Sequence, residues 1–325
     1  MKELENLRWD PSWVSHLGCI KGCLDYLGVN ITKGWLYGGT GHAFVINMHD
    51  EVCPSGPTAW KSEMLFDLAA NLGYFVQGVF GSKHAGDLAE LQERAWAFAR
   101  EAIDQGLPCY GWELEIPEYY VVRGYDDAGY YFSGPGCDEG KGPKPWGELG
   151  DTGIGMVEIY RVSPREVAED PAASAVTVRE ALSAALEHAR NLETWILPGY
   201  RSGLAGYEAW IRAVESGSAI RMGMWYNAAV WEECRRYGVE FLEEAKQRLD
   251  DGLGSLLDEA IVHYRAVAGQ LKAVTELYPP YQAGEGQIEV NDTSRAAVEA
   301  LKKARDAEAA GLEALERLTT ELGED

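Results

Sequence analysis

The segment Tyr119–Phe132, with the sequence YYVVRGYDDAGYYF, decides the fold of the first half of the chain. Its two ends are rich in aromatic and β-branched residues, which favour strands, and they flank the turn sequence Asp126-Asp127-Ala128-Gly129. Pro108–Leu114, a few residues upstream, is also predicted to form a strand. Because the three runs follow one another with short connections, they predict an antiparallel meander.

Further elements extend from this meander in both directions. Aromatic and β-branched residues predict strands at Tyr74–Phe80 and Met156–Val162. Apolar residues spaced by three and four predict helices at Trp13–Leu27 and Leu88–Asp104, and a third helix is predicted at Lys61–Leu72. Since the helices come first and the strands then follow mostly in sequence, the pattern indicates an α+β arrangement and not a doubly wound sheet.

The helix predicted at Trp13–Leu27 has clear signals at both ends. Ser12 or Ser15 can cap its start, because a serine side chain can accept a hydrogen bond from a free N–H group of the first turn. Gly28 stands where a left-handed residue commonly ends a helix.

The second half of the chain has a different pattern. Pro, Ala and acidic residues accumulate between Ser163 and Val176, and Thr177-Val178-Arg179-Glu180 then matches a capping box that opens a helix. No convincing strand follows. The predicted helices span residues 177–196, 203–216, 224–250, 252–278 and 292–322. The sequence therefore predicts two domains, an α+β domain over residues 1–165 and an all-α helical domain over residues 176–325.

The charge of the chain excludes some classes of partner. It has 29 Lys and Arg residues against 52 Asp and Glu residues, which gives a net charge of −23 at pH 7. Phosphate backbones and anionic lipid surfaces repel such a protein, and no basic stripe offsets the repulsion. We therefore expect neither nucleic acid nor a membrane as a partner, and the sequence gives no oligomeric state.

The cysteines and the chain start favour the cytoplasm. The segment Met1–Leu7 contains no apolar signal core, and no run of about 18 apolar residues occurs that could span a bilayer. The six cysteines are scattered, and no two of them form a CxxC pair. We expect reduced thiols, no metal site and no cofactor.

Three motifs of the first half resemble those of one superfamily. A helix ends with Leu24-Asp25-Tyr26-Leu27-Gly28, a strand runs through Tyr119–Tyr125 into Asp126-Asp127, and the segment Tyr130–Pro135 ends a strand with Gly-Pro. In these motifs the chain is similar to papain-like cysteine enzymes, namely the bacteriocin-processing peptidases and the N-terminal domain of the butirosin-biosynthesis acyltransferase. The resemblance covers residues 1–165 and implies a papain-like fold in a bacterial protein.

The resemblance also implies where the catalytic groups belong. The related enzymes carry a nucleophilic Cys at the helix start, a His at the strand start and an orienting Asp before the Pro. The matching positions here are Ser15, Glu118 and Gly134. No thiolate–imidazolium pair can form from these residues, and a carboxylate of ordinary pKa, about 4, is a poor base for a serine. The resemblance therefore implies a protein in which this catalysis has lapsed.

A different nucleophile is available further along the same helix. Cys19 and Cys23 are one turn apart, with His16 three residues before Cys19, so the three share a face. Packing near the core, a shifted nucleophile and part of a metal site are all open interpretations of these cysteines. His42 is the best candidate base, so a cysteine-dependent hydrolase or acyltransferase would use Cys19 with His42.

The glycine-rich turn before His42, Gly38-Gly39-Thr40-Gly41, has two interpretations. Its backbone N–H groups could face an anion, or it could be a tight turn with a partly exposed His. It is not a phosphate loop, because the Gly-Lys-Ser/Thr ending is missing.

A cleft at the predicted helix start gives the candidate binding site. Four residues would form its mouth: Ser15, His16, Glu118 and Tyr119. Trp13 and Trp112 are close to them in sequence. One carboxylate and several aromatic rings suit a neutral or cationic ligand with a flat or apolar body.

These observations support three hypotheses for the function. The first is a catalytically lapsed papain-like protein that binds a small or peptidic ligand in the cleft. The second is a cysteine-dependent amidase or acyltransferase with a rearranged site built on Cys19 and His42. The third is a protein-interaction module formed by the helices of the second half.

Overall fold

The computed structural model describes residues 1–168, 170–249, 251–280, 284 and 286–323. The chain is a mixed α/β protein with an antiparallel sheet and a C-terminal helical region. Its contacts divide it into two compact units. Unit 1 comprises Met1–Thr32 and Leu72–Val167, and unit 2 comprises Lys33–Asn71 and Ala168–Asp325.

The elements are numbered along the chain. The strands are β1 (Lys2–Glu3), β2 (Asn47–His49), β3 (Tyr74–Ser82), β4 (Cys109–Trp112), β5 (Tyr119–Tyr125), β6 (Gly129–Ser133), β7 (Lys141–Pro145), β8 (Met156–Pro164) and β9 (Tyr200–Ser202). The α-helices are α1 (Ser15–Leu27), α2 (Lys33–Gly39), α3 (Met64–Asp67), α4 (Leu88–Asp104), α5 (Pro171–Ala189), α6 (Gly203–Ser216), α7 (Arg221–Arg248), α8 (Gly254–Leu277) and α9 (Asp292–Glu321).

Unit 1 is built on one antiparallel sheet. Its strand order is β3-β8-β4-β5-β6-β7, and β1 pairs with the end of β5. The predicted meander is confirmed, because β4, β5 and β6 pair in sequence. At the turn between β5 and β6, the backbone N–H of Ala128 donates to the Asp126 carboxylate, 2.9 Å away. Aspartate favours such turns because its side chain can bond to the backbone two residues on.

Helices cover both faces of this sheet. Tyr160 of β8 has its ring against His16 of α1, with ring centroids 6.3 Å apart, whereas the next residue, Arg161, lies over the ring of Phe98 in α4. Because successive side chains of a strand point to opposite faces, α1 and α4 pack on opposite sides. The site described below lies on the α1 face.

Unit 2 is mainly helical. Helix α8 packs against both α7 and α9, and α9 also packs against α5 and α6. Helix α9 begins with a capping box in which the Asn291 side chain accepts from the Ser294 N–H and the Ser294 hydroxyl accepts from the Asn291 N–H. Among the helices of the described ranges, none is long and apolar enough to cross a membrane.

One segment belongs to a different unit from the one that the sequence indicates. Residues 33–71 precede most of the sheet and were expected in the domain spanning 1–165, but their contacts place them in unit 2. The close approach of α2 to α7 explains this. A Cβ at Gly38 would lie 1.9 Å from Cγ of Phe241, and one at Gly34 would lie 2.8 Å from Cβ of Glu240. Only glycines allow the two helix backbones to come so close.

Two local expectations for the second half were wrong. A short strand does occur there, since β9 pairs with β2 in the register Asn47↔Ser202; three residues are too few to produce a recognisable alternation. Helix α5 begins at Pro171 and not at Thr177, because the Asp170 carboxylate caps it by accepting from the Ala173 N–H at 2.8 Å. Thr177 lies inside the helix, where its hydroxyl donates to the Ala173 carbonyl.

Candidate functional site

The candidate site begins at the first residue of α1. The N-cap position is Val14, which makes no side-chain cap, and Gly28 ends the helix in the left-handed region at a φ of 74°. The Ser15 side chain is therefore not used as a cap. Its hydroxyl donates to Oε2 of Glu118 at 2.5 Å and accepts from the backbone N–H of Tyr119 at 3.0 Å. These two bonds join the helix start directly to the start of β5.

His16 connects the helix to the aromatic residues of the sheet. Its Nε2 lies 2.9 Å from the hydroxyl of Tyr110, and its ring stacks on Tyr119 with centroids 4.1 Å apart. Ser15, His16 and Tyr119 are all buried, and Glu118 is partly exposed. The structure therefore brings together all four residues that the sequence predicts for the mouth of the cleft.

The two predicted tryptophans differ in their surroundings. Trp112 is buried, and its ring meets Tyr119 edge-on with centroids 5.0 Å apart. Its Nε1 is buried with no hydrogen-bond partner among the described residues. Other buried indole groups, Trp9 and Trp231 among them, likewise have no partner among the described residues, and buried water commonly satisfies such groups. Trp13 is 44% exposed.

Glu158 is the residue of this site that the sequence analysis missed. It lies on β8, and its Oε2 accepts from the hydroxyls of Tyr119 at 2.7 Å and Tyr160 at 3.1 Å. Burial raises the pKa of the Glu158 carboxyl, and the two phenol hydrogen bonds act in the opposite direction. The sequence shows only a single glutamate inside the run Met156–Val162. Its burial follows from the helices that cover both faces of the sheet, and a glutamate is rarely buried in such a strand.

The position implied for the orienting Asp has no polar role. Gly134 follows β6, and a Cβ there would lie 2.5 Å from Cδ1 of Tyr120. The tyrosine ring takes up the space in which a longer side chain would have to fit. Of the three positions that the resemblance implies, Ser15 carries a hydroxyl, Glu118 carries a carboxylate and Gly134 lies against an aromatic ring.

The pair Cys19 and His42 is divided between the two units. Cys19 is fully buried in unit 1. Its burial is the main reason why the pKa of its thiol lies well above the ordinary value, and Cys23 and Glu118 raise this pKa further. His42 is in unit 2, where its Nδ1 lies 3.5 Å from Sγ of Cys234. Burial lowers the pKa of His42 to about 3, and nearby Arg235 adds to that effect. Neither residue is therefore predisposed to form the charged member of a thiolate–imidazolium pair.

The glycine-rich turn before His42 does not present free N–H groups to an anion. Residues 38–41 are buried, and the N–H of Gly41 donates to the carbonyl of Gly38 at 2.8 Å. His42 is buried as well, so the expected partly exposed histidine was wrong. Over the described part of the chain, no group of three or more His, Cys, Asp or Glu side chains could hold a metal ion.

The comparisons with known proteins add no relative. No protein-family model matches the chain, and no curated protein is similar to it at a significant level. The functional argument therefore rests on the geometry of the site.

Proposed function

We propose that this chain is a ligand-binding protein of papain-like fold in which the catalysis of papain-like enzymes has lapsed, and that its ligand is a small molecule or a peptide. The ligand would bind where α1 begins and β5 begins, beside Ser15, His16, Glu118 and Tyr119. The cytoplasm is the proposed location.

The contact between Ser15 and Glu118 carries this proposal. In a cysteine enzyme of the proposed fold, the helix start supplies a thiolate and the strand start supplies an imidazole. Here a serine hydroxyl donates directly to a carboxylate, 2.5 Å away. The two elements that would hold the reactive groups thus meet as the proposed fold requires, while the groups themselves are not those of a thiol nucleophile and its base.

The surroundings of this contact favour binding. Several aromatic rings line the α1 face of the sheet within unit 1, among them Tyr110, Trp112 and Tyr119. Such rings contribute to ligand binding through apolar contact, stacking and cation–π interaction. The buried Nε1 of Trp112 offers a donor to a ligand acceptor.

A ligand-retention experiment tests the proposal. We expect mass spectrometry of the gently purified protein to find a bound compound, and we expect Trp112→Leu to lose it. Trp146→Leu is the matched control, because Trp146 lies against Trp96 of α4, on the other face of the sheet. The proposal fails if nothing co-purifies and no compound from a set of amines, amides and short peptides raises the melting temperature of the wild-type protein.

The cysteine-dependent alternative has its own test. Because burial raises the pKa of Cys19, iodoacetamide at neutral pH should label Cys19 more slowly than the half-exposed Cys53 and Cys137. Peptide mass spectrometry over a time course measures the three rates. Fastest labelling at Cys19, abolished by His42→Ala, would favour an amidase or acyltransferase over a binding protein.

A further inference from the structure

Glu158 is a buried carboxylate without a cation. Its residue is only 8% exposed, and no Lys, Arg or His of the described ranges forms an ion pair with it or contributes to its electrostatic surroundings. Carboxylates are almost never this deeply buried in proteins unless they are paired, since removing the charge from water is costly. The missing positive charge is therefore the feature that needs an explanation.

The hydrogen bonds of Glu158 use only one of its two oxygens. Tyr119 and Tyr160 both donate to Oε2, and Oε1 has no hydrogen-bond partner among the described residues. A carboxylate can accept about four hydrogen bonds, two at each oxygen. The side chain is thus held in place from one side and leaves the other oxygen available to a donor.

Aromatic rings surround this carboxylate on the sheet. Tyr160 lies over Gly78 of β3, where a Cβ would come within 2.4 Å of the ring, and His16 stacks on Tyr119. In the register of β3 with β8, Phe80 is directly opposite Glu158, so the two side chains lie on the same face. Phe80 is 62% exposed. An exposed aromatic ring of unit 1 is therefore the cross-strand neighbour of the carboxylate.

We propose that Glu158 anchors a ligand's organic ammonium group, whose apolar body lies on the rings of Tyr160 and Phe80. This inference rests on the proposed function and names the chemical class of the ligand. A cation gains from a carboxylate and from aromatic faces together, because both attract positive charge. The net charge of −23 also attracts cations.

The structure assigns this role to Glu158 and not to Glu118. The sequence analysis offers Glu118 as the carboxylate of the cleft, but its Oε2 already accepts from Ser15 and the side chain is partly exposed. Exposed charges interact weakly because water screens them. The exposed Glu148 of unit 1, outside the proposed site, supplies a control, so that Glu158→Gln and Glu148→Gln form a matched pair of variants that each remove a charge while keeping the shape.

Calorimetric titration with matched probes tests the inference. One pair is benzylammonium and benzyl alcohol; the other is N-acetyl-lysine methylamide and N-acetyl-norleucine methylamide, which represents a lysine side chain of a peptide. We expect at least one cationic probe to bind at least tenfold more tightly than its neutral counterpart. Glu158→Gln should remove at least tenfold of that affinity, and Glu148→Gln less than threefold. The pair that shows the preference tells whether a free amine or a lysine side chain is the source.

Three results would overturn the inference. Equal binding of the charged and neutral probes, or an undiminished preference in Glu158→Gln, would leave a ligand-binding protein whose ligand is not an ammonium compound. No binding of either cationic probe would also reject the ammonium class, whereas a co-purified neutral ligand would keep the proposed function intact. Far-UV circular dichroism of both variants verifies that they fold, and the proposed function fails separately by the ligand-retention experiment.

Discussion

Two buried carboxylates, one in each unit, differ in how their charge is balanced. Glu308 of unit 2 is 1% exposed and accepts two bonds from Arg235, at 2.8 Å from Nε and 2.9 Å from Nη2. Tyr207 adds a third bond at 3.1 Å. Glu158 of unit 1 accepts from two tyrosine hydroxyls and forms no ion pair within the described part of the chain. The first carboxylate belongs to a network that includes its counter-charge, whereas the second is held by neutral donors at one oxygen.

Hydrogen bonds inside unit 2 use four of the five N–H groups of the Arg235 guanidinium. Its Nη1 donates to the carbonyls of Ala43 at 2.9 Å and Val45 at 2.7 Å, so it also fixes the segment after α2. Burial by itself would lower the pKa of Arg235, but Glu308 and Tyr207 raise it above the ordinary value. A buried ion pair of this kind is tolerated because further hydrogen bonds satisfy both groups.

The largest expected effect comes from breaking the completed pair. Arg235→Leu leaves Glu308 buried and uncompensated, and it leaves two carbonyls without donors. Removing one partner of such a pair costs about 3–5 kcal/mol of the free energy of unfolding. Urea titration followed by circular dichroism measures this loss. The double variant Arg235→Leu, Glu308→Leu should recover part of it, and a loss below about 1 kcal/mol would mean that the network is not structural.

The next effect is the acid sensitivity of unit 2. Burial lowers the pKa of both His42 and His188 to about 3, and the two nitrogens of His188 have no hydrogen-bond partner among the described residues. Both histidines bind a proton near pH 6.5 in the unfolded chain but only near pH 3 in the folded chain. Their contribution to the free energy of unfolding is therefore fully present above pH 6.5 and is lost as the pH falls towards 3. Each histidine contributes up to about 1.4 kcal/mol per pH unit.

Urea titrations between about pH 7.5 and about pH 5, which bracket the ordinary histidine pKa, measure this slope. His188→Phe should reduce it, because phenylalanine keeps a ring among Trp60 and Trp195 without a titrating group. His84→Phe, at an exposed position of unit 1, is the control and should leave the slope unchanged. An equal slope in His188→Phe and the wild type would contradict the prediction.

The smallest effect has the opposite sign. Glu158→Gln removes a charge that the ligand-free protein leaves unpaired, so it should raise the free energy of unfolding by about 1 kcal/mol at pH 7. Because burial raises the pKa of Glu158, the wild-type carboxyl contributes stability below its unfolded pKa and loses it as the pH rises through the folded pKa. The increase in the free energy of unfolding that Glu158→Gln gives should therefore vanish near pH 4, because the ordinary carboxyl pKa is about 4.

The melting temperatures of the wild type and of Glu158→Gln check this sign. They are measured at about pH 4, close to the ordinary carboxyl pKa, and at about pH 7, well above it. A glutamine variant that is less stable than the wild type at pH 7 would show that Glu158 is compensated like Glu308. The comparison between the two carboxylates would then no longer hold.

Local patterns in the sequence predict much of unit 1. The alternation and turn residues of Tyr119–Phe132 give the meander, and the apolar spacing with Gly28 gives α1. Counting back along the chain from these motifs also predicts that Ser15 and Glu118 stand where papain-like enzymes carry their nucleophile and their base. In the structure a hydrogen bond joins the two residues. These features are set within short stretches of chain, where propensity and periodicity operate.

Long-range contacts decide the rest, because burial depends on chain segments that are far apart in sequence. In the sequence, Glu158 is an ordinary strand residue. Its carboxylate is buried because α1 covers one face of β8, and it accepts a hydrogen bond from Tyr119, 39 residues away. Cys19 and His42 are only 23 positions apart in the sequence. Residues 33–71 nevertheless pack with the helices, which places His42 in unit 2. The sequence by itself determined the meander and the first helix, and the resemblance predicted that Ser15 and Glu118 lie at one site. Only the tertiary structure decided that Glu158 is buried with no cation beside it among the described residues, since no local pattern records where a compensating charge lies.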